Sequence, residues 1–444
     1  MRIHLSEHFT YKKLLRFVLP SIAMVIFTSI YNIVDGLFVS RFVGKISFAA
    51  INLVFPILMI LGAFGSMIGT GGAAIIGKTL GEGDNDRANK YFSMLIYVML
   101  VIGAIFAVAG YFILPEILKF LGAEGELLEY SVLYGRIALV ALPFFITEFA
   151  FQSFFVTAEK PQLGLYVTIL GGVTNILLDA LFIVVFGWGL VGAALATVIS
   201  QTICILAEII YFARKNDSLL HLTLKTKFYG KIFIKACING SSEIVNMSAM
   251  SIVSMLYNYQ LIKYIGENGV AAYGVIMYVA FIFAAVFFGY EMGISPAISY
   301  QYGAKGYDEL KNLLRKSLVI VAVTGVAMFT LAEILAAPFA NIFVGYDEDL
   351  YNLTIHAFRI QIISILFLGF SSFGSAFFTA LNNGLISAVI SFVHTFIFEI
   401  GCVLLLPLIF GIDGIWYSIV VAEIAASLLT FFILYKNRKK YNYA

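Results

Sequence analysis

Charge is what this chain has least of. Asp, Glu, Lys and Arg supply 12% of its 444 residues, about half the share usual in soluble domains, which excludes a water-soluble globule. Cysteine is scarce as well. Cys204, Cys237 and Cys402 lie in apolar stretches at unrelated spacings. Neither a cysteine metal site nor a disulfide framework can be built from them, and they read as small buried hydrophobes. No Gly-Lys-Ser/Thr sequence follows a strand, which removes a phosphate loop. The chain opens without a signal-peptide layout: the amphipathic stretch Phe9–Arg16 leads straight into a full-length span, which is expected to direct insertion itself.

What fills the space is hydrocarbon. Hydrophobic residues make up 61% of the chain, and apolar runs of about 18 to 25 residues, each long enough for a bilayer core, follow one another throughout. The fold class expected is an all-α membrane protein. Twelve spans are read near 16–39, 48–77, 92–114, 130–157, 162–186, 190–212, 232–260, 270–302, 313–339, 354–380, 385–409 and 413–435. The net charge of +2 hides an asymmetry and gives no basis for nucleic-acid binding. With the N-terminus inside, the inner segments, including Arg2, Lys12, Lys13, Arg16 and Lys436, hold 22 of the 28 Lys and Arg. The outer connections are acidic, as at Glu124, Glu126, Glu129 and Asp347–Asp349. Both termini are therefore expected in the cytoplasm and the chain in the plasma (inner) membrane.

The two halves repeat at a constant shift of 222 residues, as from Gly81 to Gly303. Ala158 corresponds to Ala380, and Gly189-Leu190-Val191-Gly192 to Gly411-Ile412-Asp413-Gly414. An even number of spans per copy makes the repeat parallel, about an axis normal to the membrane. The expectation is two six-helix bundles, residues 1–220 and 221–444, joined by the polar stretch 214–231.

Against this background a few polar side chains stand out. Asp35 lies six residues before Arg41 and Asp179 eight before Gly187, so about 9 and 12 Å below the outer ends of spans 1 and 5. Asn175 is one turn from Asp179, and Thr197 falls in the same layer on span 6. An ionised carboxylate at this depth is expensive unless it binds something. Carboxylate, amide and hydroxyl oxygens are what a hard monovalent cation needs once it sheds water; a proton is the other occupant. In the second half, Glu243, Glu291 and Glu399 count to the midplane and suit a cavity for organic cations or a proton relay, with Asn246 and His394 as neighbours able to bond them. No Lys or Arg sits near the midplane, which argues against an anionic substrate. The glycines Gly62, Gly65, Gly69, Gly71 and Gly72 of span 2 read as close helix packing, and Pro20, Pro56, Pro143, Pro296 and Pro338 as kinks. An intramembrane enzyme would need a dyad, a Ser–His pair or a metal cluster. His394 and Glu399 come nearest, but five residues apart on a helix they point to different faces.

The chain resembles the MATE (multidrug and toxic compound extrusion) family along nearly its whole length. The resemblance rests on Tyr31–Val39 of span 1, Ala74–Asp84 leaving span 2, Pro296–Lys305 of span 8, and Gly411–Trp416 with Ala422-Glu423. It implies a V-shaped pair of six-helix bundles that exports drugs against an inward flow of sodium ions or protons. In the similar prokaryotic branch the cation site takes an aspartate from span 1, an asparagine and an aspartate from span 5, and a threonine from span 6. Asp35, Asn175, Asp179 and Thr197 match those positions. Glu243 and Glu291 have no secure counterpart among the acids best known in other branches, and Ala158-Glu159-Lys160-Pro161 departs from the commoner glycine-containing loop.

The function expected is an efflux antiporter for amphipathic, cationic compounds, a monomer with no cofactor beyond its coupling ion and no metal beyond sodium. Cation binding at Asp35 and Asp179 neutralises them and lets span 1 or its neighbours repack, shrinking the chamber. The alternative is a flippase for a lipid or lipid-linked oligosaccharide, which calls for basic residues inside the chamber.

Overall fold

The computed structural model describes residues 3–443. Arg2 and the side chains of Asn32, Ile33, Leu37 and Lys45 lie outside the described residues. Within them every regular element is a helix, with no strand. The first half runs α1 (Tyr11–Phe42), α2 (Lys45–Gly81), α3 (Asn85–Phe120), α4 (Gly125–Val140), α5 (Leu142–Thr157), α6 (Pro161–Asp179) and α7 (Gly189–Ala213). The second runs α8 (Gly230–Asn239), α9 (Ser241–Tyr264), α10 (Glu267–Gly303), α11 (Tyr307–Val344), α12 (Glu348–Gln361), α13 (Ile365–Ala380), α14 (Gly384–Phe392), α15 (Ile400–Phe410) and α16 (Ile412–Tyr441). Polar caps start several of them: Thr10, Asp84, Asp347 and Asn383 each accept from a backbone N–H of the first turn, satisfying donors that a helix end leaves open.

Ten stretches among the described residues are long and apolar enough to cross a bilayer, eleven if α4 and α5, bent by 59°, count as one. The count differs from the twelve expected at the seventh span. There α9 is long enough, but Glu243, Asn246, Asn258 and Gln260 make it more polar than its neighbours. The fourth span of each half is broken midway: at Ala141, just before Pro143, and at a 3-10 turn over Ile362–Ser364. The fifth span of each half carries a π-helical turn, Ala180–Val185 and Val393–Glu399.

Left-handed backbone recurs at the spacing of the sequence repeat. Gly44 and Gly266 (φ 122° and 82°), Gly83 and Lys305 (84° and 57°), and Gly189 and Gly411 (54° and 58°) are equivalent turns. Glycine takes such angles at no steric cost.

The contacts between halves repeat as well. A Cβ on Gly81 would fall 2.1 Å from the Tyr300 carbonyl oxygen, and one on Gly303 2.0 Å from that of Lys78. Residues 78 and 81 are the repeat equivalents of 300 and 303, so α2 and α10 touch through the same surface of each. Likewise Gly71 of α2 meets Ala236 and Gly240, while Gly293 of α10 meets Val18 of α1. Each half thus lends the start of its first span to the second span of the other. These contacts gather at the end of the molecule that carries the termini. There Asn382 and Asn239 also donate to the carbonyls of Ala74 (3.0 Å) and Gly71 (3.4 Å).

Two large apolar cores and a small one around Ala272, Val275, Ala340, Val344 and Leu350 result among the described residues. One large core is drawn mainly from Val39–Leu220, the other mainly from Val253–Tyr443 together with Leu5, Phe9, Leu14, Phe17 and Val18. The N-terminal segment is strapped across the closed end. Glu159 accepts from the Leu5 N–H at 2.7 Å and pairs with His4, and Glu309 accepts from the Phe9 N–H at 2.9 Å. The stretch between α7 and α8 is docked too, with the backbone N–H groups of His221 and Thr223 donating to Asn89 and Ser93 of α3.

Candidate cation and substrate sites

α1, α6 and α7 converge on one buried polar cluster in the first half. α1 approaches α6 closely because Gly172 has no side chain: a Cβ there would lie 2.6 Å from the Phe27 ring. α7 lays Gly192 against the π-helical turn that follows Asp179. The side chains of Asp35 and Asp179 meet each other. Asp179 is fully buried and Asn175 is 3% exposed. Asn175 donates to the Thr197 hydroxyl at 3.5 Å, and that hydroxyl donates to the Ala193 carbonyl at 3.2 Å. One Asp35 oxygen, the Asn175 carbonyl oxygen and both Asp179 oxygens accept no hydrogen bond from the described residues.

The four residues singled out in the sequence therefore share one place. Two carboxylates in contact repel unless a proton or a cation stands between them, and buried acceptors without donors are costly. Chemically, oxygen acceptors arranged in this way suit a proton or a small cation.

Sequence reasoning passed over several neighbours. Tyr134 of α4, 6% exposed, lies within electrostatic range of both aspartates. Glu148 of α5 and Glu208 of α7 lie within electrostatic range of one another and of Cys204 in the same half. Both acids sit well inside apolar runs, so the depth count that exposed Asp35 also reaches them.

In the second half the three midplane acids separate. Glu243 of α9 and Glu291 of α10 stand near one another, and Ser372 of α13 donates to Glu291. Glu399 joins His394, at 3.5 Å, and Glu423 of α16. The expectation that His394 and Glu399 face apart fails. The intervening turn is π-helical, and its i→i+5 hydrogen bonding brings residues five apart onto one side. A cavity of about 780 Å³ between α3, α4 and α7 is lined by Tyr111, Glu129, Arg136, Leu195 and other side chains, and holds none of the acids of either cluster.

Comparison with known proteins places the chain in a family. The MatE family model matches residues 20–181 and again 243–404, once in each half. The chain belongs to the MatE family. The multidrug export protein MepA of Staphylococcus haemolyticus is 26% identical over 437 residues, 98% of this chain and 96% of that protein. MepA of Staphylococcus aureus (strain N315) is 25% identical over 97% of this chain and 94% of its own. Among solved structures, a MATE crystallised with MaL6 superposes with a TM-score of 0.93 at 22% identity, covering 99% of this chain and 98% of that one. An outward-facing multidrug resistance MATE transporter of the MOP superfamily gives 0.92 at 22% identity over the same shares. The fold is the MATE fold, and this MatE protein is a multi-pass membrane transporter, not an enzyme.

Proposed function

We propose that this MatE protein is an efflux antiporter that exports small amphipathic, cationic organic molecules in exchange for sodium ions or protons. The observation that carries the reading is the meeting of Asp35 with Asp179, beside Asn175 and Thr197, where one Asp35 oxygen, the Asn175 carbonyl oxygen and both Asp179 oxygens lack donors. Export of organic molecules is supported by the relatives named as multidrug export proteins. A cationic cargo is supported by the acids Glu243 and Glu291 at the midplane.

The architecture we infer is two six-span bundles, residues 1–220 and 221–444, related by a pseudo-two-fold axis between α2 and α10. The matched left-handed turns and the reciprocal Gly81–Tyr300 and Gly303–Lys78 contacts support it. Both termini are assigned to the cytoplasm from the distribution of Lys and Arg, in the plasma membrane, with the protein acting as a monomer. Contacts gathered at the terminal end then close the cytoplasmic side.

In the cycle, an incoming cation or proton binds between Asp35 and Asp179 and removes their repulsion. α1 then repacks along α6, drug is released, and the bundles rock. Exchange requires only that ion and drug favour opposite states.

The test is uptake of a fluorescent cationic dye into inverted vesicles under a sodium gradient and a pH gradient imposed separately. Asp179→Asn is expected to lose the gradient-driven component by tenfold or more. Normal pumping by that variant under both gradients would refute the assignment.

A further inference from the structure

Beyond that transport cycle, we infer that His394, Glu399 and Glu423 form a binding site for a divalent transition-metal ion, zinc or a similar borderline cation, inside the second half. His394 Nε2 lies 3.1 Å from a Glu423 oxygen and 3.5 Å from a Glu399 oxygen. One ligand atom from each of the three residues falls within 4.8 Å of the others. Ligands about 2.1 Å from a tetrahedral ion stand about 3.4 Å apart, so a metal fits among these atoms with little adjustment. Glu423 is 1% exposed, and the side chains of His394 and Glu399 are 16% exposed.

The charge balance favours a divalent ion. A neutral imidazole and two carboxylates carry two negative charges, which one divalent cation cancels, and cancellation is what membrane depth demands. A proton on His394 would leave the cluster one charge short. The nitrogen ligand separates this site from the all-oxygen cluster at Asp35 and Asp179, since imidazole suits zinc, copper, iron or nickel better than hard cations. The second carboxylate oxygen of Glu423 accepts from the Ser371 hydroxyl of α13 at 2.9 Å. Such an outer hydrogen bond orients a metal-binding carboxylate.

Convergence depends on the π-helical turn Val393–Glu399, which puts both of its ligands on the side facing α16. Such turns inside α-helices occur frequently at functional sites. An ion here would clamp the fifth and sixth spans of this half together.

The experiment uses the full chain in detergent, freed of any histidine tag and stripped with chelator. Cobalt(II) is titrated in and followed by its visible absorption, then zinc is titrated in competition. The expected result is one equivalent of tightly held cobalt with the intense bands of a four-coordinate ion, displaced by zinc but not by excess sodium. His394→Gln and Glu423→Gln should weaken binding at least tenfold. Ser371→Ala, which keeps every ligand and guards against misfolding in the others, should weaken it roughly 10- to 100-fold. Asp179→Asn should bind as the wild type does, so failure of the antiport reading leaves this result untouched. Absence of a tight equivalent in the wild type, or an unchanged spectrum in folded His394→Gln, overturns the site.

Discussion

Adding one methyl group at Gly303 tests the closed end of the molecule. The new Cβ would sit 2.0 Å from the Lys78 carbonyl oxygen, where ordinary contact begins near 3.4 Å, so α2 and α10 must separate by about 1.4 Å. The obstacle is backbone, so no rotamer change relieves it. Overpacking of this kind costs about 1–3 kcal/mol. If that penalty falls only on the state in which these helices touch, conformations with the end parted gain a factor of about 5–150. Spin labels at the exposed residues Asp86 and Asp308, with the native cysteines replaced, would report the separation by pulsed electron resonance. Gly303→Ala should move population to longer distances, and Gly81→Ala, the repeat-equivalent change, should do so equally. Gly274→Ala is the control: it lies in the same helix with nothing within 4 Å of its added Cβ, and should leave the distribution unchanged. Distances in folded Gly303→Ala that superpose on those of Gly274→Ala would refute the claim that this contact sets the closed state.

Two further outcomes follow from the side-chain contacts. Tyr134→Phe, which keeps the ring and removes a hydroxyl within electrostatic range of Asp35 and Asp179, should shift the half-saturating concentration of the coupling ion several-fold with little change in maximal rate. Dye-efflux titration against sodium and against pH measures this, and a change in maximal rate alone would show that Tyr134 does not act on the aspartate pair. Glu159→Gln removes a charged acceptor from the buried Leu5 N–H and from His4. The loss of a charge-assisted hydrogen bond is expected to cost about 1–3 kcal/mol. Thermal unfolding in detergent should show the lower midpoint, and truncation of the first nine residues should abolish the difference between the two proteins.

Much of the candidate site was legible because the bilayer makes polar residues conspicuous. Asp35, Asn175, Asp179 and Thr197 could be placed in one layer by counting residues, since a straight α-helix converts sequence distance into depth. The family assignment is borne out by the match to the MatE model in both halves. Counting fails where a helix departs from α geometry. The ordinary helical period puts His394 and Glu399 on different faces, and the π-helical turn brings them onto one side. Glu423 was visible only as part of a motif, because nothing local announces that α16 packs against that turn. Glu148 and Glu208 answer to the same depth rule as Asp35 and were simply not drawn out by it.

The sequence by itself determined that this is a multi-span helical membrane protein, that its halves repeat, and which acids lie deep. Hydrophobicity, helical rise and repeat spacing are local properties that one strand of text carries in full. Only the tertiary structure decided which deep residues come together: Asp35 meets Asp179, Glu243 comes within electrostatic range of Glu291, and His394 joins Glu399 and Glu423. Those meetings depend on which helix faces which, and on missing side chains such as those of Gly172, Gly81 and Gly303 that let backbones approach. Contact between helices far apart in sequence is a property of the packed whole, so no window along the chain contains it.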